Sequence, residues 1–180
     1  MKSFKESLNE ASLSRVYQHT KGTNIGMISA HSDRNTPEEN KANHERLAQD
    51  IRKAGFGHVN VHGKYIMNKG EPNEHAVTEK SYLVIGKKGD DSGNLKGFLK
   101  KHGEKYGQES VLHKAHDEED AKLHYTGGTQ KGQIVNAGKF HPNRAADYQS
   151  AMRGGKTTFT FESVEYRVPK SFFFRNEELF

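Results

Sequence analysis

The run NIGMISAHSDRNTPEEN, residues 24–40, decides the architecture. Its first seven residues, 24–30, form an apolar stretch bounded by polar turns. Too short for a helix, it reads as a buried strand. Residues 31–35 make a polar loop. Thr36-Pro37-Glu38-Glu39 then opens a helix. Thr36 caps it, Pro37 takes the first helical position, where a missing N–H costs nothing, and Glu39 completes a capping box. This helix reaches Ala54 and stops at Gly55. Ala42, Leu47, Ala48, Ile51 and Ala54 give it one narrow apolar face.

Working outward, residues 56–67 alternate. Val59, Val61, Tyr65 and Met67 share one parity, and His58, Asn60, His62 and Lys64 the other, which predicts a half-buried strand with a bend at Gly63. A turn-rich loop over 68–73 follows. SYLVIG, 81–86, is a second apolar strand, ending in the polar loop 87–93. Residues 94–102 form a helix with Leu95, Phe98 and Leu99 inward, and 110–113 a short strand. Residues 116–122 read as a charged loop, 126–132 as a Gly- and Thr-rich loop, 134–140 as a strand, 142–152 as a short helix and 157–168 as a strand or hairpin arm. Ahead of all this, Phe4, Leu8, Ala11 and Leu13 or Val16 recur at helical spacing over residues 2–18, an amphipathic helix closed by Lys21-Gly22.

The order strand, helix, strand, strand, helix, strand describes an α+β protein. It is expected to be a compact α/β sandwich of a small mixed sheet with two or three helices, plus an N-terminal amphipathic helix and a C-terminal extension. The division expected is an N-terminal helix over 1–22, a core domain over 23–126 and an extension over 127–180.

Bulk composition narrows the function classes. Only 32% of the 180 residues are hydrophobic and mean hydropathy is −0.97, so the core is modest and much of the chain is surface or partner-facing. A net charge of +5 and a pI near 9.2 suit contact with polyanions, though ordinary solubility explains them equally. The absence of cysteine excludes disulfides, thiolate chemistry and cysteine-ligated zinc. No stretch approaches the roughly 20 apolar residues of a membrane span, and no apolar secretory segment opens the chain. The expectation is a protein made and kept in a reducing cytosol, without membrane contact.

No set of residues forms a catalytic constellation in the sequence. His113, His116 and His124, with Asp117 and Asp120, are the densest of the eleven histidines, but their spacing matches no zinc signature, and no metal site is expected. His58 and His62 lie four apart in a strand, roughly 13 Å along one face, too far to share an ion. The segments at Gly86–Gly89 and Gly127–Thr129 carry glycines without a phosphate-loop or dinucleotide pattern. No serine occupies a nucleophile elbow. Glu162 and Glu165 face opposite sides of a strand and make a poor acid–base pair. The best candidate polyanion face gathers Lys87, Lys88, Lys96, Lys100, Lys101 and Lys105. No aromatic residue interleaves these lysines for base stacking.

Two resemblances add to this reading. The strand IGMISAHSDRNTPEEN, the Asn- and Arg-bearing helix ending in AGF, the strand EKSYLVIG and the run KYGQESVLH together resemble an uncharacterised domain-of-unknown-function family of bacteria and tailed phages. The resemblance covers about half of the chain and implies an α/β sandwich without an assigned activity or cofactor. The matched polar positions, which would bind a ligand if the family has one, are Ser29, Asn40, Glu79, Ser81 and Gln108. The same residues would equally serve to cap helices and satisfy loops.

The whole chain, including GKFHPNR and the ending TFTFES…FF, is similar to hypothetical and structural proteins of tailed bacteriophages. Its start, MKSFKESLNEA, is similar to the targeting peptides of phage internal head proteins, cut after Leu-x-Glu; here Leu8 and Glu10 would precede a cut before Ala11. These resemblances imply a non-enzymatic virion component, an internal head or head–tail protein made in the host cytoplasm. It would belong to an assembly of other virion proteins and touch packaged DNA non-specifically. Phe4 and Leu8 at one end, and Phe172, Phe173, Phe174 and Phe180 at the other, would dock it on neighbours. The alternatives are a nucleotide-binding or host-modifying, anti-defence phage protein and, more weakly, a non-specific DNA-binding protein.

Overall fold

A computed structural model describes residues 20–67, 72, 75–142, 148–152 and 158–161. The elements run β1 (Thr23–Ile28), α1 (Pro37–Lys53), β2 (Gly57–Met67), β3 (His75–Lys88), α2 (Asn94–Lys105), β4 (Ser110–Lys114), β5 (Asp120–Tyr125), β6 (Ile134–Pro142), β7 (Tyr148–Met152) and β8 (Thr158–Phe161). The α+β class holds. The strands close into a barrel in the order β1-β3-β2-β7-β8-β6-β5-β4. All the pairings described are antiparallel, so the sheet is not mixed.

Register shows how the strands share out their two faces. Met27 pairs with Leu83 and with Leu112, and Leu112 pairs with Leu123. These residues and Ile25 are buried on the face turned to the barrel interior. The alternate residues Ile28, Tyr82, Val84 and Val111 join Leu47, Ala48 and Ile51 of α1 and Leu95 and Leu99 of α2 in a second apolar layer. The helices thus cover one flank of the barrel, α1 over β2 and β3, α2 over β1 and β4. Period-2 alternation in the strands supplies both layers at once.

Both helices begin where the sequence marks them. The Thr36 hydroxyl accepts from the Glu39 N–H at 3.2 Å, and the Glu39 carboxylate accepts from the Thr36 N–H at 2.8 Å. Ahead of α2, the Asp91 carboxylate accepts from the Gly93 and Leu95 N–H groups at 3.0 and 3.1 Å. At this pole of the barrel Asn24 is a staple. Its amide donates to the Gly89 carbonyl at 2.9 Å and its side-chain oxygen accepts from the His116 N–H at 3.0 Å, tying three chain segments together.

Two elements depart from the sequence expectations. Residues 120–125, read partly as a charged loop, are strand β5: Ala121, Leu123 and Tyr125 are buried between Asp120, Lys122 and His124. The expected helix over 142–152 is strand at its end, where β7 pairs with both β2 and β8. Residues 158–161 are strand, as expected. The expected N-terminal helix and the residues Phe4, Leu8, Glu10, Ala11, Phe172, Phe173, Phe174 and Phe180 lie outside the described residues.

Gly26 sets the distance between α2 and the barrel. A Cβ there would overlap the Leu99 side chain and stand 2.7 Å from the Leu112 carbonyl oxygen. Gly26→Ala is therefore expected to lower unfolding stability by about 2–3 kcal/mol through overpacking, measured by urea denaturation; an unchanged midpoint would refute the close approach.

Candidate functional site

The opposite pole of the barrel carries a cleft of about 840 Å³. His31, Ser32, Asp33 and Asn35 of the β1–α1 loop, the first two turns of α1, and Asn60, Lys80 and Tyr82 of β2 and β3 line it. The loop leaves the sheet at Ser29, whose hydroxyl donates to the Lys80 carbonyl at 2.9 Å and accepts from the His31 N–H at 3.0 Å. Asn40, buried in the first turn of α1, grips the loop from the other side. Its Oδ1 accepts from the Ser32 N–H at 2.9 Å and from Asn35 Nδ2 at 3.2 Å, and its Nδ2 donates to the Ser32 carbonyl at 2.9 Å. Gln108 donates through Nε2 to the His31 carbonyl at 2.8 Å. Three of the five polar positions singled out in the sequence thus converge on the loop between β1 and α1.

The other two lie on β3. Ser81 is fully buried, and its hydroxyl has no hydrogen-bond partner among the described residues; the Gln108 Oε1 is likewise buried without one among them. Native proteins leave few such atoms, so each asks for an explanation, a ligand contact among them. Glu79 pairs through its backbone with Gly63.

Tyr82 and His44 form the aromatic wall. Their rings stack at 4.1 Å and 14°. The Tyr82 hydroxyl donates to the His44 carbonyl at 3.2 Å, and His58 meets Tyr82 edge-on at 5.1 Å. Burial pushes the Tyr82 phenol up and lowers His31 and His58 below the ordinary histidine value. The cleft carries both signs of charge, Asp33 and Glu45 against Lys41 and Lys80.

Other sequence candidates do not assemble here. Lys87, Lys88, Lys96, Lys100 and Lys101 are exposed. Lys105 is engaged by Asp50 at 2.7 Å between the two helices. His113 and His124 come together under α2, their rings 6.0 Å apart, whereas His116 stands apart beside Asp117. No group of three histidines or carboxylates placed to hold a metal occurs among the described residues.

A family model matches residues 26–166, spanning both helices and β1 to β8. The chain belongs to the S-adenosylmethionine lyase family. The domain resembled in the sequence is thus a family with a named activity. Membership overturns the reading as a non-enzymatic structural protein, together with its placement in the virion: the family is one of enzymes. No curated protein matches the chain. Among solved structures, a phage SAM lyase in complex with S-methyl-5'-thioadenosine is similar at 16% identity. The similarity covers 65% of this chain and 92% of that one, with a TM-score of 0.32, too loose to place residues. No helix among the described residues is long and apolar enough to cross a membrane.

Asn40→Ala removes three hydrogen bonds and leaves the Ser32 amide and carbonyl without their partner. A loss of about 2–3 kcal/mol in unfolding stability is expected, with heightened proteolysis in residues 31–35 as the local readout. Wild-type susceptibility there would refute the clasp.

A second expectation concerns pH. Burial under α2, near Lys96 and Lys100, lowers His124 to about 4. A histidine depressed in the fold leaves stability intact above its unfolded value near 6.5 and removes it as pH falls toward 4. Glu109, pushed up to about 7 by burial, acts oppositely: its contribution is lost as pH rises from the ordinary carboxyl range through 7. The two partly cancel in the wild type. Glu109→Gln is expected to expose the histidine limb, a fall of roughly 1–2 kcal/mol between pH 7 and pH 5 by urea titration, and His124→Gln added to it to reduce that fall, His31, His58 and His113, also lowered by burial, keeping the remainder.

Proposed function

We propose that this chain cleaves S-adenosylmethionine, releasing S-methyl-5'-thioadenosine, and that the cleft walled by the Ser29–Asn40 segment, Asn60, Lys80 and Tyr82 is where it does so. The observation that carries the reading is the family match over residues 26–166. The cleft lies within that span, and a volume of about 840 Å³ suits a ligand of this size.

The chemistry asks little proton handling of the protein. The sulfonium sulfur carries a full positive charge and is a good leaving group. When the bond from sulfur to the amino-acid side chain breaks, the electron pair passes to sulfur and a neutral thioether departs. The carbon left behind needs an electron pair, and the substrate's own carboxylate supplies it, closing a five-membered lactone. One C–O bond forms, one C–S bond breaks, and neither water nor a proton is consumed. The enzyme's task is to fold the substrate so that carboxylate and carbon meet, and to exclude water from both. Lys80, in the same cleft, suits the substrate's carboxylate.

Ser29, Asn40 and Gln108 act in this reading by holding the loop, and the buried Ser81, which does not line the cleft, supports the strand beside Tyr82. Glu79, on the same strand, is the fifth position to test. The bacteriophage setting is kept, now as the setting of an enzyme that depletes a host metabolite rather than a component of the particle.

Purified protein incubated with S-adenosylmethionine is expected to yield S-methyl-5'-thioadenosine and homoserine lactone in equal amounts by liquid chromatography. Gln108→Ala is expected to lower kcat/KM by about tenfold to a hundredfold, the scale of losing a buried hydrogen bond and the loop it holds. Thioadenosine formation no faster than in a protein-free control would remove the lyase reading.

A further inference from the structure

The aromatic wall of the cleft is held more rigidly than packing alone requires. His44 is fixed through three separate parts. Its ring lies on Tyr82 at 4.1 Å and 14° from parallel. Its Nε2 is 2.8 Å from Asn60 Oδ1 on the neighbouring strand. Its backbone carbonyl takes the Tyr82 hydroxyl at 3.2 Å. Because a carboxamide oxygen only accepts, Nε2 carries the proton. Tyr82 in turn is buried and is held edge-on by His58 at 88°. The result is a two-ring stack with Tyr82 beneath and a half-buried His44 bordering the cleft. Neither rotation of the ring nor its withdrawal is open to it without breaking a contact.

A fixed planar ring at the border of a cleft is suited to a flat, polarisable ligand. Stacking a nucleobase on such a ring contributes about 1–3 kcal/mol and needs no hydrogen-bond code. Next to it, the exposed Asn60 keeps its amide NH2 group as a donor once its oxygen has been given to His44. Asp33 and Glu45, in the same cleft, are acceptors of the kind that bind vicinal hydroxyls. Ring, amide and carboxylates together match the parts of a purine nucleoside.

We infer that His44 is the platform on which the adenine ring of the substrate stacks, with Asn60 locking its orientation. This rests on the lyase reading of the same cleft and assigns His44 a positioning role for the adenosyl half, remote from the bond that breaks. Such a contact is made equally in the ground state and in the transition state. Its loss therefore appears in KM, and much less in kcat. It also appears in the affinity for adenosine, which contains no sulfur and no amino-acid chain.

The test uses the full chain and His44→Ala, His44→Phe and Asn60→Ala. Steady-state KM and kcat are measured with S-adenosylmethionine, and calorimetry measures binding of adenosine and of S-methyl-5'-thioadenosine. His44→Ala is expected to raise KM and both dissociation constants by about tenfold to a hundredfold, the range set by base stacking. His44→Phe restores most of that loss, and Asn60→Ala gives an intermediate loss. The Phe variant and Asn60→Ala carry the test should His44→Ala fail to fold. Dissociation constants and KM within twofold of wild type in His44→Ala overturn the inference, as does a Phe variant no better than Ala. If the wild type binds adenosine without consuming S-adenosylmethionine, the lyase reading falls, while the adenosine comparison still decides the role of His44.

Discussion

The Asn40 carboxamide holds both polar groups of the Ser32 backbone at 2.9 Å, and the shape of the cleft depends on that grip. The link between a buried strand and a helix, residues 29–36, has many conformations, and each residue ordered costs about 1–2 kcal/mol of entropy. Ser29 fixes one end to β3, Gln108 ties the middle to the segment before β4, and Asn40 folds the far half back onto α1. The capping box at Thr36 and Glu39 then sets the point from which Asn40 reaches. Five side chains, Ser29, Thr36, Glu39, Asn40 and Gln108, thus turn a polar stretch into a wall.

Much of this framework is legible in the residues. The strand at 24–30, the capped helix after it, the alternating strand from 56 and the helix from 94 all stand where pattern and capping chemistry put them. The misses have physical causes. In β5 the apolar residues Ala121, Leu123 and Tyr125 alternate as a strand requires, but four consecutive acids at 117–120 dominate the segment's character. Closure of the barrel by β7 is a long-range pairing with β2 and β8, which no local window records.

The site shows a similar split. Ser29, Asn40 and Gln108 are found through a resemblance in the order of elements, and the structure gives them backbone partners rather than a shared catalytic point. His44, Asn60 and Tyr82 escape notice because they come from α1, β2 and β3, and only the register of Asn60 against Tyr82 brings them together. The enzymatic character escapes for a deeper reason. Catalysis is legible in a sequence through nucleophiles, acid–base pairs and metal ligands. In the proposed reaction the substrate carries both its leaving group and its nucleophile and needs none of these, and a sequence without them resembles that of a binding protein, or of a piece of a particle.

The Asn24 staple has an effect on how the molecule yields. It binds the start of β1, the end of β3 and the turn after β4 at one pole, using both faces of a single buried amide. Strands cannot slide past one another where their ends are riveted. A guest entering the cleft therefore meets a barrel fastened at both ends of β1, by Asn24 at one pole and by the Ser29 and Asn40 ties at the other.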